Sequence, residues 1–403
     1  MDKNYTDFLD KLSAESRILL LCSQVEIPES HIRLLNKLAD DNPDWNRIHS
    51  LSLAHRLLPL VYKNLNLYLQ DFVSQEIVAR FKRDFQVLCG RNIHMTVALE
   101  KCIQALESHG IQALPFKGPV LAAMYGDITF RQFGDIDILV SRHDVIKAVQ
   151  VLQAEGYYPF FRLSTGQMEK LCQTDNEYPL SHHKTGLSLD LQWELTGGYF
   201  KNELKLSDLQ ERLDEIMLVC TKVRSFVGEN LLLYLCIHGT QHVWQSLDHV
   251  CCVNEVIRVN PKLEWGAVIA KAESLGAYTM LCTAILLAKK LLDSDVPEAI
   301  VSKMKNDRSV LRLVDEKCRE ITDSLSHQQE TPLFSHRFDT FHLRSLDSKW
   351  AAVRYLCHLV FVPTRYDWEV YPLPAKLSFL HYLLRPARMM LQSLSRLFGY
   401  LRK

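Results

Sequence analysis

Apolar residues recur every three to four positions along most of this chain, which is the spacing of an amphipathic α-helix. The first 110 residues keep this period, with Pro28 and Pro43 as breaks. They predict an all-helical N-terminal region over residues 1–110. The same period returns after about residue 206, where it predicts a second helical domain over residues 205–322.

Between these two regions, residues 111–204 follow a different pattern. Short β-prone runs replace the helical period, and helical or loop segments separate them. The runs are Ile111–Phe116, Ile136–Val140 and Leu187–Leu195. They predict the only sheet that the pattern supports. The expected fold class is therefore α+β, with a small sheet core embedded between helical N-terminal and C-terminal regions.

The remaining sequence divides into a polar stretch and a helical tail. Residues 323–347 are rich in His and Ser, and they predict an exposed connector. Residues 348–403 predict a helical segment with a basic amphipathic tail, because Lys and Arg but no acidic residue occur in 376–403. Such a tail either docks on the protein's own core or makes weak peripheral contact with an anionic membrane. Its apolar stripe consists of Met390, Leu394, Leu397 and Leu401.

Charge and cysteine content restrict the class of partner and the compartment. The chain of 403 residues contains 47 Lys plus Arg and 47 Asp plus Glu. No net charge attracts a polyanion, so a nucleic-acid partner is not favoured. The eleven cysteines form no C-x-x-C motif, which favours a reducing cytoplasm over a disulfide framework. No apolar run approaches the roughly 18 residues that a membrane span needs.

Two aspartates separated by one residue stand at the start of the second β-prone run. Because side chains alternate along a strand, Asp135 and Asp137 project from one face and Ile136 and Ile138 from the other. Two carboxylates held this close repel each other unless a divalent cation lies between them. Oxygen ligands suit Mg²⁺. The pair predicts a magnesium site, with two solvated acids at a strand end as the alternative.

A third carboxylate lies in the last β-prone run. The Leu and Trp residues of this run occupy alternate positions, which places Asp190 on the opposite face with Ser188, Gln192 and Glu194. From a neighbouring strand, Asp190 would reach the same metal ion and serve as general base for an acceptor hydroxyl. The alternative is an ordinary amphipathic edge strand.

Lys117 and Gly118 form a candidate phosphate-binding turn between the first β-prone run and a helix predicted to start at Pro119. Glycine lets backbone N–H groups approach a triphosphate, the helix N-terminus adds positive potential, and the lysine supplies a mobile cation. Arg131 is a candidate for neutralising phosphate charge. Gly134, directly before the aspartate pair, completes the candidate nucleotide-binding set. A plain turn and a salt-bridged surface arginine are the alternatives.

These residues together resemble the DNA polymerase β-like nucleotidyltransferase superfamily. They resemble more closely a bacterial group of nucleotidyltransferase-like proteins often associated with surface polysaccharide gene clusters. The resemblance is strongest over residues 114–195 and continues in short motifs nearly to the C-terminus. Its elements are Phe116-Lys117-Gly118, Tyr125, Arg131, Gly134 to Val140, Gly156-Tyr157, Leu189 to Trp193, Leu235 to Gly239, Trp244, Leu247, Phe361 to Thr364, Asp367-Trp368 and Leu384-Arg385-Pro386.

The resemblance implies a small mixed sheet that carries three metal-binding carboxylates and is flanked by helical regions. It implies Mg²⁺, or alternatively Mn²⁺, as the cofactor and a nucleoside triphosphate as the donor. The implied two-metal reaction transfers a nucleoside monophosphate to an unidentified acceptor, which is a small molecule, a glycan or a protein, and releases pyrophosphate. The superfamily's usual nucleotide-binding turn is Gly-Ser or Gly-Gly, so Lys117 here replaces the hydroxyl that normally meets a phosphate.

Two other functions stay open on the sequence. A degenerate module would bind a nucleotide or a partner without turnover, and the altered turn at Lys117 favours this hypothesis. A metal-dependent glycosyltransferase would also use a D-x-D pair to clamp a nucleotide. That hypothesis leaves Asp190 unexplained and requires a long alternating βα region that the chain lacks.

His238 and His242 lie four residues apart on a predicted helix, the spacing at which two imidazoles can share a metal ion. No Glu at position 239 and no nearby third metal ligand accompany them. The pair therefore predicts packed or hydrogen-bonded helical side chains, with a phosphate or acceptor contact as the second interpretation and zinc as the third.

Overall fold

A computed structural model gives the three-dimensional structure of residues 3–197, 209, 213–326 and 339–400. Most of these residues lie in α-helices. The helices are α1 (Lys3–Leu9), α2 (Ala14–Leu21), α3 (Glu29–Asp40), α4 (Trp45–Ala54), α5 (Leu58–Asn64), α6 (Gln75–Ser108), α7 (Gly118–Ala123), α8 (Val145–Ala154), α9 (Thr165–Thr174), α10 (Gly228–Gln241), α11 (Leu247–Val259), α12 (Trp265–Ser274), α13 (Tyr278–Leu292), α14 (Glu298–Lys305), α15 (Arg308–Ser326), α16 (Thr340–Arg344), α17 (Lys349–Phe361), α18 (Arg365–Val370) and α19 (His381–Tyr400).

Five strands form one mixed sheet in the order β1-β2-β5-β4-β3. Strands β2 and β5 are parallel, and the other neighbouring pairs are antiparallel. The predicted α+β class with a small mixed sheet is therefore confirmed. The five strands are β1 (Ala113–Pro115), β2 (Asp135–Val140), β3 (Tyr157–Pro159), β4 (Glu177–His182) and β5 (Ser188–Gln192).

The chain folds into two compact units, each assembled from three separate stretches. Unit 1 comprises Met1–Glu100, Phe116–Gly134 and Arg212–Asp347, and unit 2 comprises Lys101–Pro115, Asp135–Glu211 and Ser348–Lys403. The division into successive regions stays a prediction from the sequence. Two of its parts fall largely outside the described residues, namely the end of the core after residue 197 and residues 327–338 of the connector.

Unit 1 is built around the helices α10, α11 and α13, which pack against one another. Every residue from Gly228 to Ile237 is buried, as expected for a helix that is apolar on all sides and lies in the interior. The N-terminal helix α1 joins this core, since the Tyr5 hydroxyl donates to the Leu291 carbonyl at 3.3 Å. Helices from the two regions predicted to be helical, residues 1–110 and 205–322, thus pack into one shared core.

Unit 1 also contains a two-stranded antiparallel sheet of β6 (Leu213–Met217) and β7 (Lys222–Phe226). The sequence analysis predicted only helices after residue 205, so that part of the prediction is wrong. Alternating exposed and buried positions mark β7. The run is only five residues long, and a segment that short gives too few periods to separate a strand from a helix.

Unit 2 surrounds the mixed sheet with helices from two distant parts of the chain. Residues Ile136–Val140 of β2 are all buried, because this strand lies between β1 and β5 and is covered on both faces. Helix α8 packs on β3, while α17 and α18 pack on α19. The sheet is thus held rigidly, and its strands fix the positions of the side chains that they carry.

Two features bear on the class of protein. All eleven cysteines are free thiols, in keeping with the scattered spacing in the sequence. Among the described residues, no helix combines the length and the apolar character needed to cross a bilayer.

Candidate active site

The carboxylates predicted to bind metal lie on adjacent strands of unit 2. In the parallel pair of β2 and β5, Asp137 stands opposite Asp190, and Asp135 stands opposite Ser188. Residues opposite each other on neighbouring strands project from the same face of the sheet. The sheet register therefore places all three aspartates on one face, with Asp137 and Asp190 as direct neighbours.

Asp137 is the buried member of this set, with a relative exposure of 2%. Its Oδ1 accepts a hydrogen bond at 2.9 Å from Nε2 of Gln192, which is equally buried on β5. Asp135 and Asp190 are partly exposed. The arrangement gives one carboxylate fixed from within the sheet and two that are accessible from outside.

A further acid and a cation border this face, and the sequence analysis missed both as site residues. Glu177 on β4 stands opposite Gln192 and accepts a hydrogen bond from the Arg365 guanidinium. The backbone N–H of Arg365 donates to Asp175 Oδ2 at 2.8 Å. The only sequence signal was that Arg365 lies between two motifs of the family resemblance, and no pattern singled out Glu177.

Electrostatics couple this arginine to the predicted general base. Burial opposes the charge of Arg365, but Glu177, Asp175 and Asp190 together hold the pKa of its guanidinium above the usual value. Burial nevertheless raises the pKa of Asp175 above its usual value. Arg365 therefore places a positive charge at the edge of the acidic face.

The donor chemistry of the three aspartates fits a hard divalent cation, which prefers carboxylate and water oxygens. Within the described ranges, however, no three His, Cys, Asp or Glu side chains stand in a geometry that could hold a metal ion. The strand register brings Asp137 and Asp190 together. The Asp135 side chain, which projects from the same face, would have to rotate to join them at one metal ion. The metal site stays a prediction.

The Lys117-Gly118 turn lies in unit 1. Gly118 has a φ of +43°, a left-handed conformation that favours glycine, and α7 begins at this residue. The Lys117 ammonium lies 5.5 Å from the ring centroid of Phe116 and 5.7 Å from that of Tyr234. The turn therefore requires its glycine and places its lysine over aromatic rings, while phosphate binding stays a prediction.

Arg131 and Gly134 also lie in unit 1, and each has a defined partner there. The Arg131 guanidinium pairs with Asp248 at 3.1 Å and donates to Cys252 Sγ at 3.2 Å. Burial opposes its charge, but Asp248 and Cys252 raise the pKa of Arg131 well above its usual value. The Gly134 carbonyl accepts a hydrogen bond from Arg91 at 3.2 Å. Arg131 thus matches the salt-bridged alternative in geometry, and its phosphate role is untested.

The family described as uncharacterised nucleotidyltransferase matches residues 41–293, which is more than half of the chain. The chain belongs to this nucleotidyltransferase family. The match includes the strands that carry the aspartates and the turn at Lys117. Nucleotidyl transfer is therefore the class of activity that the family supports.

Two further comparisons add little to this assignment. Among solved structures, a crystal structure of an antigenic nucleotidyltransferase-like protein from Paracoccidioides brasiliensis is similar at 14% identity over 51% of this chain and 93% of that chain. Its TM-score of 0.29 is too low to indicate a common fold. Among curated proteins, none matches the chain.

The nucleotidyltransferase match also includes the histidine pair, which proves to be a group of three. His238 lies on α10, His242 follows the end of that helix, and His249 lies on α11. The ring centroids of His238 and His242 are 4.4 Å apart, and that of His249 is 5.3 Å from His242. His249 lies beside the pair because the chain reverses between the two helices.

That reversal depends on Gly239 in this nucleotidyltransferase. A Cβ atom at Gly239 would lie 2.5 Å from Cζ3 and 2.7 Å from Cζ2 of Trp244, whose side chain is 1% exposed. We expect Gly239→Ala to lower the free energy of unfolding by about 2 to 3 kcal/mol, because neither the helix backbone nor the buried indole can move away without repacking. Chemical denaturation followed by circular dichroism measures the change.

Gly90→Ala is the matched control for this substitution. Gly90 is also helical, on α6, and a Cβ atom there would meet nothing within 4 Å. This variant should be unchanged or more stable by about 0.5 to 1 kcal/mol, since alanine loses less conformational entropy than glycine in a helix. Equal stability of both variants would contradict the close packing of Gly239 on Trp244.

Proposed function

We propose that the protein transfers a nucleoside monophosphate from a nucleoside triphosphate to a hydroxyl acceptor and releases pyrophosphate, with Asp135, Asp137 and Asp190 as the metal-binding carboxylates. The observation that carries this proposal is the in-register pairing of Asp137 with Asp190 on parallel strands. Both residues lie within the stretch that matches the nucleotidyltransferase family. The cofactor we propose is Mg²⁺, or alternatively Mn²⁺.

The reaction forms a bond between the acceptor oxygen and the α-phosphorus and breaks the bond between that phosphorus and the oxygen bridging to the β-phosphate. Asp190 is partly exposed, and we assign it the role of general base, which accepts the proton of the acceptor hydroxyl. Arg365, which is hydrogen-bonded to Glu177 and Asp175, adds positive charge at the edge of the acidic face. When bound, the metal ion supplies Lewis-acid stabilisation of charge on the phosphates.

Phosphate recognition is assigned to Lys117 and Gly118, with Arg131 and Gly134 as further candidates. The φ of Gly118 supports this role, because only a glycine-like conformation lets the backbone turn so tightly before α7. Lys117 would replace the hydroxyl of the usual Gly-Ser turn with a positive charge. The pairing of Arg131 with Asp248 makes Lys117 the stronger candidate for phosphate contact.

The acceptor and the cellular setting are proposed from the family resemblance alone. A small molecule, a glycan or a protein would serve as acceptor, in the cytoplasm and in connection with surface polysaccharide. Residues 376–403 are proposed to make weak contact with a membrane. The basic charge available for this contact is lower than the sequence suggests, because Arg385 and Arg388 both pair with Asp367. Met390 nevertheless exposes 66% of its surface.

The thermal stability of the purified protein with each of ATP, GTP, CTP, UTP and dTTP, with and without Mg²⁺, tests this proposal. We expect one nucleotide to raise Tm in the presence of Mg²⁺, because a ligand that binds the native state stabilises it by mass action. At 100 times Kd the stabilisation would be about 2.7 kcal/mol. If no nucleotide changes Tm, the proposal fails. A shift without pyrophosphate release from any acceptor mixture would instead favour the binding module.

A further inference from the structure

Three histidines of unit 1 form a compact group that the proposed reaction does not use. The histidine cluster consists of His238, His242 and His249. The centroid of the His238 ring lies 4.4 Å from that of His242 and 5.7 Å from that of His249, and the other two centroids are 5.3 Å apart. Each of the three residues keeps part of its surface exposed, and Nδ1 of His249 is buried without a hydrogen-bond partner among the described residues.

The tertiary fold brings these three rings together. Helix α10 ends at Gln241, and Val243 and Trp244 then take positive φ values of 46° and 55°. This unusual backbone turns the chain back, so that α11 runs against α10. The strain of two non-glycine residues in this region persists only when the surrounding structure supports it.

The electrostatic surroundings of the cluster are cationic. Burial lowers the pKa of His238 well below its usual value, and Lys117, the other two histidines and Arg131 lower it further. Burial also lowers the pKa of His249 to about 3, with additional effects from Arg56, Arg131 and Lys117. The rings of His238 and His249 are therefore neutral at pH 7 and lie in the field of Lys117.

A positive field and imidazole N–H groups together suit an anion better than a cation. A neutral imidazole offers one N–H donor, and a lysine ammonium offers three. Hydrogen bonds from such donors to an ionised oxygen are short and strong. A metal ion would meet the repulsion of Lys117, and the described residues provide no group of three ligands in a geometry that holds one.

We propose that the histidine cluster and Lys117 form a binding site in unit 1 for an oxyanion of the phosphate class. The aromatic wall of this site is Tyr234, whose ring stacks on His238 at 5.6 Å with an interplanar angle of 18°. Asp248, which neighbours His249 in sequence, is paired with Arg131 and so adds little repulsion. The inference shares Lys117 with the phosphate recognition of the proposed function, but it requires neither the aspartates of the sheet nor a metal ion.

The test is binding of sulfate, pyrophosphate and tripolyphosphate to the full chain in the presence of EDTA, measured by calorimetry. We expect binding by the wild type and a loss of at least about tenfold in affinity in His242→Phe and His249→Phe. Phenylalanine keeps an aromatic ring but has no N–H donor for the anion. His94→Phe, at an exposed histidine of α6, is the matched control and should bind as the wild type does.

A second measurement observes binding in the wild type itself. With labelled histidine, sulfate should move the NMR signals of three histidine rings. Binding of the inorganic anions would identify a site for free phosphate or pyrophosphate. Binding of a metal-free nucleoside triphosphate alone, weakened in the same variants, would identify the nucleotide as the source of the phosphates.

Two outcomes overturn the inference. One is that no inorganic anion and no metal-free nucleotide binds the wild type or moves a ring signal. The other is binding that is unchanged in both cluster variants. The same measurements on Asp137→Asn separate this inference from the proposed function, since loss of metal-dependent transfer would leave oxyanion binding in EDTA intact.

Discussion

Replacing Asp137 with asparagine is expected to lower nucleotidyl transfer by about 100- to 1000-fold, the range typical when one electrostatic contact to developing charge is lost. The buried carboxylate supplies negative charge beside Asp190, and an amide is a much weaker ligand for Mg²⁺. The fold should survive. The amide oxygen of the new side chain can still accept the hydrogen bond that Gln192 donates at 2.9 Å.

The measurement uses the nucleotide identified by thermal stability, labelled on its α-phosphate, and follows label transfer and pyrophosphate release. The Mg²⁺-dependent rise in Tm should disappear in the same variant, while its circular dichroism spectrum stays that of the wild type. Asp214→Asn is the control, because Asp214 is an exposed aspartate on a strand of the other sheet. Wild-type transfer by Asp137→Asn would remove the proposed metal site.

Replacing Asp367 with alanine is expected to lower the free energy of unfolding of the C-terminal part of unit 2 by about 3 to 5 kcal/mol, the cost of breaking a buried ion pair. Asp367 is 1% exposed, and Arg385 is 7% exposed. Its Oδ2 accepts from Arg385 at 2.5 Å, and its Oδ1 accepts from Arg388 at 2.6 Å. Without the carboxylate, two largely buried guanidinium groups lose their counter-charge.

The same carboxylate also caps α18. Its Oδ2 accepts a hydrogen bond at 2.9 Å from the backbone N–H of Thr364. Burial opposes ionisation, but this hydrogen bond and the two arginines hold the pKa of Asp367 below its usual value. The contribution to stability is therefore complete above the usual carboxyl pKa and is lost as the pH falls through the lowered one. Because Arg365 is the first residue of α18, activity should fall together with stability.

Hydrogen exchange read by mass spectrometry locates this effect, since residues 348–391 of Asp367→Ala should exchange faster than those of the wild type. Glu369→Ala in the same helix is the control, because Glu369 is exposed and its removal should change the unfolding free energy by less than about 0.5 kcal/mol. Unchanged exchange in Asp367→Ala would show that the ion pairs do not hold this segment.

Part of the sheet was predictable because a few runs are long, apolar and alternating. The runs at β1, β2 and β5 satisfied that condition. Strands β3 and β4 did not, since each contains a proline and polar residues that normally weaken a strand assignment. They form because a neighbouring strand supplies hydrogen bonds along an edge. Local propensity carries no information about that neighbour.

For the candidate site as well, part of the arrangement was predictable from the sequence and part was not. Period-two alternation by itself determined that Asp135 and Asp137 share one face of a strand, and that Asp190 lies on the polar face of another. Neither pattern indicates which strand lies beside which in the sheet. The parallel register that sets Asp137 opposite Asp190 belongs to the assembled sheet, since pairing depends on surfaces brought together from distant parts of the chain.

The partners of the charged and titratable residues at these sites could not be predicted from spacing in the sequence. The sequence alone determined the fold class, the three aspartates and the glycine turn, because each rests on residues within a few positions of one another. Only the tertiary structure decided that Arg365 borders the acidic face, that Asp248 neutralises Arg131, and that His249 completes the histidine cluster. Arg365 meets Glu177 over a sequence separation of 188 positions, and Arg131 meets Asp248 over 117. His249 is only seven positions from His242, but it reaches that ring because the chain reverses between α10 and α11. Packing of whole helices and strands, rather than local periodicity, determines which of these residues meet.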